Sequence, residues 1–479
     1  MLSVRLINNV GICIERKKED RLSSRRMRAD MLEGSLWNKI LKFAMPLAAT
    51  GILQQLFNAA DIAVVGNFSG ENGQPAMAAV GANGPLISLI VNTFIGIALG
   101  TNVVIANAVG ARDEETVSKT SHTSVMLALI IGCVLTCVGE LFAEPILSLQ
   151  NVPDNILPAA VSYFRIYISG VPVILLYNFE AAVFRGMGNT KTPLLVLMMS
   201  GLLNVVFNLF FVIVLHMTVE GVALATVLSN LISSGMLFII LLRAKDPTRI
   251  NPKKLRIDRC VLRKILRIGV PAGLQSAVFS FANILIQRSI NSLGETVMAA
   301  SVAALNLEAF AHSILTSFGQ ACTTFVGQNF GAGKLDRCKR SLILCYLEGV
   351  IATATAILLI LFTGKQLLSI FNDNPETIEI GYTRLIIIFT AYFFSLTYDV
   401  LSGYLRGFGI SATPAILTTV GICGIRFTWI FAIFPKHRTF STIMTVYPIS
   451  LGTTAVLVLI AVLIIRPAAK YAKEFEQAK

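Results

Sequence analysis

The sequence predicts an all-α membrane protein, with twelve transmembrane helices in two six-helix lobes related by a pseudo-two-fold axis along the membrane normal. Three observations predict it. The 479 residues are 54% hydrophobic and only 14% charged, with a mean hydropathy of +0.71, far from the balance of a soluble protein. Apolar runs of the roughly 20 residues needed to cross a hydrocarbon core about 30 Å thick recur along nearly the whole chain. The second half also repeats local patterns of the first at a fixed offset.

The apolar runs fall at 40–65, 76–108, 124–142, 159–183, 194–214 and 221–242, then at 265–286, 297–326, 341–362, 382–405, 414–434 and 443–465. They divide the chain into an N-terminal extension (1–36), a first lobe (37–243), a basic linker (244–262), a second lobe (263–466) and a tail (467–479). The extension is too charged for the apolar region of a signal peptide and reads as cytoplasmic.

A net charge of +13 raises the question of nucleic acid, but the bases collect in alternate loops beside the spans, which is a topology signal. They concentrate at residues 16–28 and 243–264 and around Arg112, Arg185, Lys334 and Arg466, whereas residues 67–75 and 140–158 have none. Arg288, Lys365, Lys436 and Arg438 run against the pattern. Both termini and the linker are therefore expected in the cytoplasm of a protein of the inner membrane, with lipid around it and no nucleic-acid partner. The eight cysteines show no CxxC spacing and read as packing residues.

The halves repeat in register. Arg185-Gly186-Met187-Gly188 followed by Thr192-Pro193 returns 221 residues later as Arg406-Gly407-Phe408-Gly409 and Thr413-Pro414. Asn107 to Ala111 and Gln328 to Ala332 share that shift, while Pro46 and Pro271 are 225 apart. Six helices per half is an even number, so the repeats share one orientation and enclose a central cavity. The Arg-Gly-x-Gly stretches read as tight turns, and no nucleotide site is predicted because neither carries a P-loop lysine.

Gln54, Asn58 and Asp61 are spaced i, i+4, i+7 on one face of the first helix, and Asp61 is the only acid of that span. An ionised carboxylate at membrane depth is costly unless paired, so such a residue is a natural place to take up a proton or a cation. Asn204 and Asn208, one turn apart on the fifth helix, reach the depth of Asp61 and offer amide groups as sodium ligands or as hydrogen-bond partners, with packing between helices as the plain alternative. If sodium is the coupling ion, Asp61, Asn204 and Asn208 are its expected ligands.

Further candidates are more scattered. Glu180, close to the end of the fourth helix, suits a partly solvated ion pair with a loop base; Asn178 beside it corresponds to Asp399, the only acid of the tenth helix. Glu308, His312 and Thr316 form an i, i+4, i+8 stripe on the eighth helix, where a glutamate and a histidine one turn apart can share a proton or simply be hydrogen-bonded. Asn283 aligns with Asn58 and Ile286 with Asp61, so the second lobe lacks the first lobe's acid. Phe57, Tyr177, Phe179, Phe281, Phe310 and Tyr398 offer aromatic faces to a cationic substrate, none singled out.

Gln54-Gln55-Leu56-Phe57-Asn58 with Asp61, Val65-Gly66, Met77-Ala78-Ala79-Val80-Gly81, the two Arg-Gly-x-Gly turns each followed by Thr-Pro, and Gly327 to Ala332 resemble the multidrug and toxic compound extrusion (MATE) family. The likeness runs from Glu33 to Ile465 and is nearest the DinF-like branch. The resemblance implies a V-shaped pair of lobes, alternating access, a coupling aspartate at Asp61, and antiport of cationic or amphipathic compounds against protons or sodium ions. It implies no cofactor beyond the coupling ion, and the protein is expected to be a monomer.

Two departures qualify the likeness. Relatives often carry an aspartate at the place of Asn208, and a sodium-coupled branch has a glutamate in the seventh helix, where this chain has Gln275, Ser276, Phe279, Ser280 and Asn283. The alternative function is a flippase for lipid-linked saccharides, which favours a basic cavity to grip pyrophosphate, whereas the charges inside these spans read as mostly acidic. An intramembrane enzyme is disfavoured because HExxH and GxSxG are missing.

Overall fold

A computed structural model describes residues 31–68, 73–150 and 152–477. The first thirty residues of the expected N-terminal extension, and part of the loop after the first helix, lie outside it.

The helices are α1 (Leu36–Phe68), α2 (Gly73–Ala111), α3 (Glu114–Leu149), α4 (Leu157–Ser169), α5 (Val171–Gly186), α6 (Lys191–Val214), α7 (Val219–Arg243), α8 (Arg259–Asn291), α9 (Glu295–Gly331), α10 (Leu335–Ser369), α11 (Pro375–Gly407), α12 (Ala412–Ile433), α13 (Phe440–Ile465) and α14 (Pro467–Gln477). Eleven are long and apolar enough to cross a membrane, and α4 with α5 makes the twelfth span, bent by 47°. Pro172 causes that break at Gly170, because proline has no N–H to donate and its ring crowds the carbonyl one turn back. The run at 159–183 is thus a broken span rather than a single rod. Most spans also extend past the apolar runs, since the α-helix continues into the polar loops.

Repetition in the sequence becomes repetition of contacts. Thr190 Oγ1 donates to the Phe43 carbonyl at 3.0 Å, and its counterpart Ser411 Oγ donates to the Ile268 carbonyl at 2.7 Å. Each bond ties the turn after Arg-Gly-x-Gly to the first helix of its own half. Gly188 and Gly409 both take the left-handed backbone, with φ of 89° and 80°, a conformation glycine reaches without the Cβ penalty.

The pseudo-two-fold axis is visible where α2 crosses α9. A side chain on Gly110 would strike the Gln328 carbonyl, and one on Gly331 would strike the Asn107 carbonyl. Because 107 pairs with 331 and 110 with 328, and the halves are offset by 221, the contact is reciprocal, as a two-fold axis requires. The lobes converge on the side of the basic loops. Phe43 meets Phe325 edge-on at 5.8 Å, Gln328 Nε2 donates to the Gly186 carbonyl at 2.9 Å, and Asn102 and Thr324 exchange hydrogen bonds at 3.2 Å.

The linker is docked rather than free. Asn251 N–H donates to His122 Nε2 at 3.0 Å and Asp258 N–H to Thr123 Oγ1 at 3.1 Å, both on α3. Asp258 then caps α8 by accepting from the Cys260 and Val261 N–H groups. The tail folds as α14, whose Tyr471 stacks on Phe408 at 5.8 Å and lies 4.8 Å from Phe330.

Candidate functional site

In the first lobe, α1, α6 and α7 bring three polar side chains onto one carboxylate. Asn208 Nδ2 donates to Asp61 Oδ1 at 2.5 Å, and Thr226 Oγ1 to Asp61 Oδ2 at 3.2 Å. Asn208 also reaches Asn204 Oδ1 at 3.3 Å. Asp61 is buried, and no Lys or Arg pairs with it among the described residues. Asn208 gives its amide hydrogens to neighbours and leaves Oδ1 buried without a partner. Tyr163 and Tyr167, stacked on α4, lie within electrostatic range of the carboxylate.

Local structure explains how α6 serves this site. The Phe57 ring of α1 lies against Gly201, so the two helices approach closely just before Asn204 and Asn208. Directly after Asn208 the helix widens into a π-turn at Phe210–Val214, a distortion often found where a helix supports a site.

Gln54 and Asn58 do not join the cluster; both are exposed while Asp61 is buried. Thr226 on α7 takes the place expected of them. Sequence reasoning missed it because a membrane threonine ordinarily returns its hydroxyl to its own helix, which Thr226 also does toward the Val222 carbonyl at 3.0 Å.

The second lobe holds a different arrangement. Glu308 on α9 is paired with Arg384 on α11, with Nε to Oε1 at 2.6 Å and Nη2 to Oε2 at 3.2 Å, while Arg384 Nη1 donates to Ser301 Oγ at 2.7 Å. Arg426 on α12 is equally buried. It donates to Asn283 Oδ1 at 2.7 Å and lies 4.7 Å from the Tyr447 ring and 5.3 Å from that of Phe279, a cation–π setting. Arg426 sits between two π-helical segments, Thr419–Gly424 and Trp429–Ile433.

Several expectations are corrected here. The buried charges are mostly acidic, as expected, with Asp61, Glu180, Glu308 and Glu348, but Arg384 and Arg426 are fully buried beside them in α11 and α12. Glu308 and His312 share no hydrogen bond among the described residues; Glu308 turns to Arg384, whereas His312 lies edge-on to Tyr392 at 6.4 Å and faces a central cavity. Among the described residues Glu180 has no loop base as partner. It is fully buried, accepts from Ser234 Oγ at 3.1 Å and leaves Oε1 unpartnered. Asn178 donates to its own helix at the Ile174 carbonyl, 2.8 Å away. Glu348 on α10, not noticed in the sequence, is buried with neither carboxylate oxygen hydrogen-bonded.

The cavity between the lobes has a volume of about 290 Å³ and is lined by residues of α2, α5, α8, α9, α11 and α12, Asp399 among them. Of the aromatic candidates Tyr398 lines it, whereas Tyr177 and Phe179 are core residues of the first lobe.

A family model described as MatE matches the chain twice, over residues 46–210 and 271–430. The chain belongs to the MATE family. The starts of the two matches, 46 and 271, reproduce the offset between Pro46 and Pro271. The probable multidrug resistance protein YoeA of Bacillus subtilis is 28% identical over 436 residues, which span 88% of this chain and 93% of that protein. The probable multidrug resistance protein NorM of Thermotoga maritima is 28% identical over 397 residues, 81% of this chain and 83% of its own. A solved outward-facing multidrug resistance MATE transporter of the MOP superfamily superposes with a TM-score of 0.83 at 21% identity, covering 92% of this chain and 98% of that one. As a MATE protein, this chain is a multi-pass membrane transporter and not an enzyme.

Proposed function

We propose that this MATE protein exports amphipathic or cationic organic compounds in exchange for inward-moving protons or sodium ions, by alternating access between its lobes. One observation carries the reading: Asp61 is buried at membrane depth with only amide and hydroxyl partners. A carboxylate without a cationic partner is stable there when it holds a proton or a metal cation, so its occupancy responds to an ion gradient. The unpartnered Oδ1 of Asn208 adds an oxygen ligand should that ion be sodium, with Asn204 beside it. Reciprocal linkage then makes ion binding and substrate binding compete.

The relatives named as multidrug resistance proteins support the substrate class. Lipid-linked saccharide transport remains the second reading, favoured by Arg185 and Arg406, two bases that line the central cavity. In cells we place the protein in the inner membrane as a monomer, with both termini and the 243–264 connection in the cytoplasm. Labelling from the periplasm of a cysteine introduced at Asn251 would reverse that orientation.

The functional test uses purified protein in liposomes loaded with ethidium, with a proton gradient and a sodium gradient imposed separately. Export driven by one of them, and absent without either, supports the antiporter. Export indifferent to both gradients contradicts it.

A further inference from the structure

The two Arg-Gly-x-Gly motifs do more than make turns. Arg185 ends α5 and Arg406 ends α11, equivalent positions of the two halves, and both line the central cavity. Among the described residues Arg185 makes no hydrogen bond or ion pair. Arg406 gives Nη2 to Gln275 Oε1 at 2.7 Å and leaves Nε buried and unpartnered. Asp399 is the one carboxylate of the lining. Two guanidinium groups face a single acid in a space of about 290 Å³.

We propose that Arg185 and Arg406 form an oxyanion site, which takes the carboxylate or phosphate group of an amphoteric substrate while the aromatic lining accepts its organic body. This rests on the export reading and narrows its substrate class from cations to compounds that also carry an anionic group. The guanidinium fork suits a planar or tetrahedral oxyanion, with two parallel N–H donors for two oxygens. The unused Nε of Arg406 and the unpaired head of Arg185 are such donors. The pseudo-two-fold axis brings them in from opposite lobes, so a bound oxyanion bridges the halves at the place where they must part during transport.

The test compares rhodamine B, which has a free carboxylate, with rhodamine B ethyl ester, in which the same cationic dye has that group masked. Both are titrated by fluorescence anisotropy against the purified protein in detergent, without an ion gradient. The free acid is expected to bind about tenfold tighter than the ester, the size of one charge-assisted hydrogen bond. Arg185→Gln and Arg406→Gln should each weaken the acid alone and bring the pair toward parity, and Arg406→Lys should keep part of the preference. Benzoate and phenyl phosphate, added as competitors, separate a carboxylate preference from a phosphate one. An acid that binds no tighter than the ester, substitutions that weaken both dyes equally, or displacement by neither competitor would overturn the site. Because binding is read at equilibrium, a negative result leaves ion-coupled export untouched, and a failure of coupled export leaves a positive result standing.

Discussion

The two lobes share a backbone plan and differ in how each treats a buried carboxylate. In the first, Asp61 is held by Asn208 and Thr226, neutral donors that orient it without cancelling its charge. In the second, Glu308 meets Arg384 through two nitrogens and is neutralised in place. Duplication therefore conserved the turns, the hydroxyl ties at Thr190 and Ser411 and the glycine crossing, while the charges diverged. An uncompensated acid held between α1, α6 and α7 can exchange an ion, whereas a closed pair such as Glu308 with Arg384 ties α9 to α11. Asymmetric chemistry on a symmetric frame suits the antiport with one coupling site that we propose.

The largest effect expected from this contrast is on stability. Glu308→Ala leaves Arg384 buried without its counter-charge and should cost about 3–5 kcal/mol, read as a fall in the melting temperature of the purified protein. The double variant Glu308→Met with Arg384→Met should recover much of that loss. Equal melting of Glu308→Ala and wild type would mean that the pair does not hold the second lobe together.

Next in size is the crossing. Gly110→Ala and Gly331→Ala each force a methyl group against the backbone of the other lobe, at a cost of about 1–3 kcal/mol. Because the contact is reciprocal, the two should be destabilised to a similar degree and should open the basic side to labelling reagents alike. A large effect at one glycine and none at the other would remove the pseudo-symmetry from the account.

Thr226→Val removes one of the two hydrogen-bond donors on Asp61 while keeping shape, and should cost about 1 kcal/mol. Its clearer signature is a changed ion dependence of transport, which the matched change Ser301→Ala beside Arg384 should not produce.

The smallest effect lies outside the membrane. The Val261 and Cys260 N–H groups hold the Asp258 carboxyl below its usual range, with Lys119 assisting. A carboxylate with a depressed folded value stabilises the folded state above the unfolded pKa near 4 and loses that contribution as pH falls through the folded value. Asp258→Ala should therefore lower the melting temperature more at pH 7 than at pH 3.

The spans, the repeat and the grouping of Asp61 with Asn204 and Asn208 were legible in the sequence. Asp61 stood out as the lone acid of its span, and Asn204 and Asn208 as polar residues one turn apart at matching depth. Gln54 failed because a shared helix face is not a shared site: seven residues separate it from Asp61 by about 10.5 Å along the axis, and the two lie in different surroundings. Arg384 and Arg426 were overlooked because a single arginine hardly lowers the mean hydropathy of a long apolar run, and their partners Glu308 and Asn283 lie on other helices, far away in sequence. The break in the fourth span was signalled by Gly170 and Pro172, but a hydropathy window is blind to a bend.

The central claim is that Asp61 couples ion to substrate. Its most direct test is substrate efflux from vesicles containing Asp61→Asn at wild-type abundance, under whichever gradient drives the wild type. Asparagine keeps size and hydrogen bonding and removes the exchangeable charge, so gradient-driven efflux should be abolished while the protein still inserts and melts within about 1 kcal/mol of wild type. Undiminished efflux by Asp61→Asn would contradict the account and move the coupling to Asp399 in the central cavity.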